Sequence, residues 1–229
     1  AFLSDTSGLP QPYSFAIASE PAPEEAWQRL TTSTERIQFV AWSPDSRYLF
    51  FGRDHGGDEN TQILRSSITG DGMLHLTSAP QFKHMFGALT DDGRQMAYAS
   101  NARNNRDFDI YVRATTDGQG DPRRVLEAQG HHEAQDFSAD GRQLAVIEEH
   151  SSFDTDLYLV DVTAGTGRNR TAHQGQGDIR YFNARFTRDG RSMYVLSDYG
   201  REYVNLAVMS TAPGSSGLVA VSLPSSSAS

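Results

Sequence analysis

The sequence predicts an all-β chain, a β-propeller of four-stranded antiparallel blades with about five blade units present. Three observations carry this. The segments Ser43-Pro44-Asp45-Ser46-Arg47, Thr90-Asp91-Asp92-Gly93-Arg94, Ser138-Ala139-Asp140-Gly141-Arg142 and Thr187-Arg188-Asp189-Gly190-Arg191 recur with their central aspartates 47, 48 and 49 residues apart. A second element keeps the same beat: Gln62-Ile63-Leu64, Asp109-Ile110-Tyr111, Asp156-Leu157-Tyr158 and Asn205-Leu206-Ala207 each follow by about 17 residues. No stretch sustains the 3.6-residue periodicity of a helix, although residues 24–29 fit a single turn.

Each element has a mechanical reason for its place. Asp-Gly favours a tight reversal because the aspartate bonds the following backbone and glycine accepts positive φ. The aromatic and aliphatic runs 48–52, 95–100, 143–148 and 192–197 that follow read as central strands with both faces covered. The Ile-Leu, Ile-Tyr and Leu-Tyr elements are third strands, reached through polar loops such as 53–60 and 101–106. Turns at 69–72 and 116–118 lead into short fourth strands.

The units run 33–79, 80–129, 130–175 and 176–210. Ahead of them, 1–32 is an incomplete blade, with Phe2-Leu3-Ser4-Asp5, Gln11-Pro12-Tyr13-Ser14-Phe15 and Arg29-Leu30-Thr31 as its second, third and fourth strands, so the chain starts inside a blade. Residues 211–229 are rich in Ser, Gly, Ala and Pro around an apolar insert at 218–221, and read as a last strand, a frayed tail, or both. Side chains such as Phe50, Tyr98, Val146 and Tyr194 each gain on the order of 1.5–3 kcal/mol only when a neighbouring blade covers them. An open arc of such units is expected to self-associate through its bare edges and faces.

Composition narrows function. A net charge of −9 repels nucleic acid and anionic membranes at long range, and no apolar run approaches a membrane span. The absence of cysteine removes disulfides and thiolate chemistry and fits a cytoplasmic location. His131-His132-Glu133 invites a metal, but adjacent strand residues point to opposite faces and zinc needs ligands converging at about 2 Å, so no metal is assigned. Asp154-Thr155-Asp156 lacks the further oxygens and glycine of a calcium loop, and no nucleotide fingerprint is present, so no cofactor is implied. Asn169-Arg170-Thr171 matches a glycosylation sequon by its three letters alone. The charged loop residues Arg53, Asp58, Glu59 and Asn60 are candidates for ligand contact, weighed against mutual salt bridging and turn stabilisation. Positions 62, 109, 156 and 205 recur once per unit, which predicts a hydrogen bond built into every blade.

Residues 43–60, including Arg53-Asp54-His55-Gly56-Gly57-Asp58-Glu59-Asn60, and residues 100–111, Ser-Asn-Ala-Arg-Asn-Asn-Arg-Asp-Phe-Asp-Ile-Tyr, resemble the amino-terminal propeller of prolyl-oligopeptidase-family serine peptidases, especially the acylaminoacyl-peptidase and dipeptidyl-peptidase branches. The same repeats are similar to the periplasmic Tol-system propeller, which would make the periplasm the alternative compartment. The peptidase resemblance implies a seven- or eight-bladed ring that caps an α/β-hydrolase domain and filters peptide substrates by size. It also suggests Glu148 and Glu149 as a glutamate pair for a substrate's amino terminus. The hydrolase nucleophile sits in a Gly-x-Ser-x-Gly elbow. No such elbow occurs in this chain; Gly214-Ser215-Ser216-Gly217-Leu218 comes nearest and lacks the final glycine. The expected role is non-catalytic gating for a hydrolase domain, with a stand-alone propeller that binds a protein partner as the alternative.

Overall fold

The computed structural model describes residues 1–15, 23–69, 72–116, 118, 120–173, 176–214 and 218–220. Five antiparallel sheets follow one another along the chain. Blade I has three strands, β1 (Phe2–Ser4), β2 (Gln11–Ser14) and β3 (Gln28–Arg29), with a 3-10 turn at Glu24–Ala26 before the last. Blade II comprises β4 (Ile37–Trp42), β5 (Tyr48–Arg53), β6 (Gln62–Ser67) and β7 (Leu74–His75). Blade III comprises β8 (His84–Leu89), β9 (Gln95–Ser100), β10 (Asp109–Ala114) and β11 (Arg123–Leu126). Blade IV comprises β12 (His131–Phe137), β13 (Gln143–Ser151), β14 (Asp154–Asp161) and β15 (Thr166–Asn169). Blade V comprises β16 (Tyr181–Phe186), β17 (Ser192–Ser197), β18 (Asn205–Ser210) and β19 (Leu218–Ala220). In each sheet the strands pair in chain order, which is the meander of a propeller blade.

The four repeated corners are the same object. The hydroxyls of Ser43, Thr90, Ser138 and Thr187 each donate to the aspartate two residues on, at 2.6 Å. The same aspartates accept the backbone N–H of Arg47, Arg94, Arg142 and Arg191 at 2.9–3.1 Å. The hydroxyl oxygen in turn accepts the N–H that opens the second strand, as in Gln143 to Ser138 at 2.9 Å. The residue after the aspartate has φ of 67–68° in three blades, where it is glycine, and 58° in blade II, where Ser46 carries the conformation. The expected turns at Gly70-Asp71 and at Asp117 lie outside the described residues.

Burial lies between blades. Phe50, Ile63 and Leu76 of blade II pack on Met96 and Tyr98 of blade III. Ala97, Ala99, Ile110 and Val112 of blade III meet Leu144, Val146 and Val160 of blade IV. Ala145, Ile147, Leu157 and Leu159 of blade IV meet Met193, Val195, Ala207 and Met209 of blade V. Alternate residues of each central strand therefore serve two different neighbours, which is why these strands are apolar throughout. Backbone bonds repeat the contact: His84 N–H to Thr61 O at 3.0 Å, Phe108 N–H to Gly130 O at 2.9 Å, and Thr155 N–H to Ile179 O at 3.0 Å, each joining one blade to the next.

Blade V departs from the expectation that central strands are covered on both faces. Its inward residues Met193 and Val195 are fully buried, but Tyr194 is 44% exposed. The side of blade V away from blade IV has no further sheet on it among the described residues, and the five sheets do not close into a ring.

Candidate functional site

The connections from second to third strand emerge at one end of the blades, opposite the Asp-Gly corners, because adjacent strands run antiparallel. Two hollows form at that end. The first, about 420 Å³, lies on blade II and is lined by Arg53, Asp54, His55, Asp58, Asn60, Gln62 and His75 among others. The sequence candidates Arg53, Asp58 and Asn60 therefore share one wall, while Glu59, in the loop between them at φ 61°, is not part of that lining. Asp58 shapes the loop by accepting the backbone N–H groups of Asn60 at 2.9 Å and His55 at 3.3 Å. Among the described residues no ion pair within 4 Å joins Arg53 to Asp58 or Glu59, so the loop is held by turn bonds rather than by mutual salt bridges. His55 instead faces Glu35 at 3.4 Å. Burial and the positive charge of Arg53 both hold the His75 pKa below its usual value.

The second hollow, about 640 Å³, lies on blade IV between Glu148, His150, Asp154, Asp156, Tyr158, Asn169, His173, Gly177 and Asp178. Strand register builds it: Glu148 stands opposite Asp156 and His132, and Tyr158 opposite Asn169. Asp156 accepts from Asn169 Nδ2 at 2.8 Å and from the Thr171 hydroxyl at 2.9 Å. Burial pushes the Asp156 pKa up, but these hydrogen bonds and the histidines beside it outweigh burial and hold it below the usual carboxylate value. His173, 6% exposed, lies 2.7 Å from Asp154 and 3.2 Å from Asp156. Desolvation pulls its pKa down, yet the Thr171 carbonyl and the two carboxylates prevail and hold it raised. Tyr158 is pushed up to about 12 by burial and by its hydrogen bond with Glu148.

The structure separates Glu148 from Glu149. Glu148 turns to the face that holds His150 and Asp156, whereas Glu149 bonds His131 Nδ1 at 2.8 Å. They are successive residues of β13 and do not converge on one ligand. His131 and His132 divide in the same way. Of the recurrent positions, Gln62 Oε1 accepts Ala79 N–H at 3.1 Å, Asp109 Oδ1 accepts Ala128 N–H at 3.1 Å and Asp156 accepts the Thr171 hydroxyl at 2.9 Å, whereas Asn205 donates to the Tyr203 carbonyl two residues away at 2.6 Å, so the expected bond does not recur in the same form in every blade. His132, His150, Asp154 and His173 were invisible as a group in the sequence, because only cross-strand register brings them together. The one sequence signal for them is the run of titratable residues at matching ends of two neighbouring strands.

No family profile matches the sequence, and no curated protein matches it. Solved structures do. A TolB-like protein from Agrobacterium tumefaciens superposes with a TM-score of 0.61 at 19% identity, over 86% of this chain and 66% of that one. TolB from Acinetobacter baumannii gives 0.61 at 16% identity, over 86% of this chain and 46% of the other. Prolyl oligopeptidase B from Galerina marginata, solved with a 25-residue macrocyclisation substrate, gives 0.69 at 15% identity, over 92% of this chain and 34% of that one. The chain thus spans about a third to two thirds of the proteins it resembles. Its fold is that of the β-propellers of prolyl oligopeptidases and of the Tol system.

Proposed function

We propose that this chain is the non-catalytic propeller portion of a serine peptidase of the prolyl-oligopeptidase kind, acting on short or acylated peptides, and that it gates peptide access to an α/β-hydrolase domain. The observation that carries this reading is the superposition on prolyl oligopeptidase B over 92% of the chain with a TM-score of 0.69. Two hollows at the loop end, 420 and 640 Å³, the larger of them polar, have the size of sites that take small ligands or a few peptide residues. The missing Gly-x-Ser-x-Gly elbow fits a role in selection, with chemistry left to another domain.

The likeness to TolB supports a second reading, a propeller that holds a protein partner on one loop face. The peptidase reading goes with a cytoplasmic location and the Tol-like one with the periplasm. A fluorophosphonate probe, which labels activated serines, separates them. The reading frame expressed to its natural stop should label and cleave short peptides while sparing folded proteins, and this chain alone should remain unlabelled. Labelling of this chain, or a full reading frame that neither labels nor cleaves, overturns the peptidase reading.

A further inference from the structure

Blades III and IV solve the same local problem with different chemistry. In blade III the buried Asp109 stands opposite Ser100, and its charge is met by Arg103 at 2.8 Å and Arg124 at 3.4 Å. In blade IV the equivalent Asp156 stands opposite Glu148, which adds a second carboxylate. Arg124 pairs with Tyr111 across β10 and β11, and the residue in that register position of blade IV, opposite Tyr158, is Asn169. Six residues before the aspartate, where blade III has Arg103, blade IV has His150. Two arginines have gone and a carboxylate has arrived. Among the described residues no lysine or arginine forms an ion pair within 4 Å with Glu148, Asp154 or Asp156; the ionisable partners at that range are imidazoles.

We propose that Glu148, His150 and Asp156 bind a divalent transition-metal ion, with His132 facing the site from β12. One ligand atom from each of the first three lies within 4.8 Å of the others. His150 Nε2 is 3.4 Å from Asp156 Oδ2 and 3.9 Å from Glu148 Oε2. His132 Nε2 is 3.9 Å from Glu148 Oε1. Donors at 2.0–2.2 Å in a tetrahedron are roughly 3.3–3.6 Å apart, so small side-chain rotations bring the ligand atoms of Glu148, His150 and Asp156 onto one ion. His132 supplies a second, independent sign. Its side chain is 3% exposed, its Nδ1 has no hydrogen-bond partner, and its Nε2 looks at Glu148 from beyond hydrogen-bond range. Nε2 is thus the nitrogen that an incoming ion or its bound water would meet, and the buried ring makes no hydrogen bond of its own toward Glu148.

The outer contacts are those of a metal centre. Asn169 and Thr171 fix the Asp156 carboxylate, so its oxygens are aimed before an ion arrives. An imidazole with two carboxylates suits zinc, cobalt or manganese, and the nitrogen donor disfavours calcium and magnesium. An ion here would replace the charge that blade III draws from arginine.

The test uses the whole chain stripped with chelator and titrated with Zn²⁺ and with Co²⁺. One equivalent of Zn²⁺ should bind and raise the unfolding temperature, and Co²⁺ should give ligand-field absorption that Zn²⁺ abolishes. His150→Ala and Glu148→Gln should each weaken binding at least tenfold. His131→Ala alters the separate His131, Glu133 and Glu149 group and should leave binding unchanged. Circular dichroism on every variant checks that it folds. The proposal is overturned if no stoichiometric ion binds, if binding survives both His150→Ala and Glu148→Gln, or if His131→Ala is the variant that loses it.

Discussion

His84 shows how a single residue sets an acid limit on this fold. It opens β8, is 4% exposed, and lies with Nδ1 3.3 Å from the Thr61 carbonyl and its ring 5.8 Å from that of Tyr98. Burial lowers its pKa to about 4, against the opposing pull of the Thr61 and Phe82 carbonyls. In the unfolded chain the same imidazole titrates near 6.5. Between those values the unfolded state binds a proton that the folded state refuses, so stability falls as the pH drops from about 6.5 to 4 and then levels off. The full effect is about 3 kcal/mol, a sizeable share of a domain's net stability. His173 works in the opposite sense: its raised pKa contributes stability that is complete below 6.5 and is lost as the pH rises through the folded value. Urea midpoints measured from pH 7 to 4 should decline more steeply for the native chain than for His84→Gln. Parallel curves would remove His84 as the cause.

At the scale of the strand, the innermost strand of every complete blade carries the same irregularity. Register shifts fall between Ile37 and Phe39, Phe86 and Ala88, Ala134 and Asp136, and Phe182 and Arg185. Such bulges bend and twist a strand, and here they recur at each blade's inner edge. In blade III the bulged residue is Gly87, where an added Cβ would sit 2.5 Å from Ala134 Cβ and 2.6 Å from the Ala134 carbonyl oxygen of β12. No rotamer relieves a clash with backbone. Gly87→Ala should therefore cost about 1–3 kcal/mol in denaturant unfolding, as overpacking does. Gly120→Ala, with nothing within 4 Å of the new methyl, should be close to neutral. Equal effects at the two positions would refute the close approach of the inner strands.

The bulges also mark where sequence reading stops. Asp45, Asp92, Asp140 and Asp189 announced their corners because a Ser/Thr-x-Asp turn needs fixed residue types at fixed spacing. The bulged positions hold Gln38, Gly87, Gln135 and Asn183; three of the four carry a side-chain amide, but the glycine breaks the series and an amide does not by itself specify a bulge, so their regular spacing announced nothing. The candidate site behaves likewise. The loop 53–60 could be picked out as charged, but Glu148 and Glu149 look like a pair in the sequence and part company on the strand. His132, Glu148, His150 and Asp156 belong together only through the pairing of β12, β13 and β14.

For the whole molecule, the uncovered side of blade V decides how the chain behaves in solution. Counting from the corner aspartates, Tyr194 and Leu196 occupy the positions of Ala145 and Ile147, and Leu206 and Val208 those of Leu157 and Leu159. The blade IV residues are 0–8% exposed because blade V covers them. Their counterparts have no such cover: Tyr194 is 44% and Leu206 38% exposed, and Val219, opposite Val208, is 71% exposed. The sheet pairs Phe182 with Leu196 and Leu196 with Leu206, so these side chains form one continuous apolar face. A surface of this kind is expected to pack against another twisted sheet, and a second copy of this chain is the sheet always at hand. Sedimentation velocity over a range of concentrations should reveal dimers or larger species. Tyr194→Lys combined with Leu206→Lys should shift the distribution to monomer with little loss of stability, since neither side chain is buried in the single chain. A native chain that stays monomeric at every concentration, or a double variant that assembles as before, would mean that this face is not what the molecule uses to cover itself.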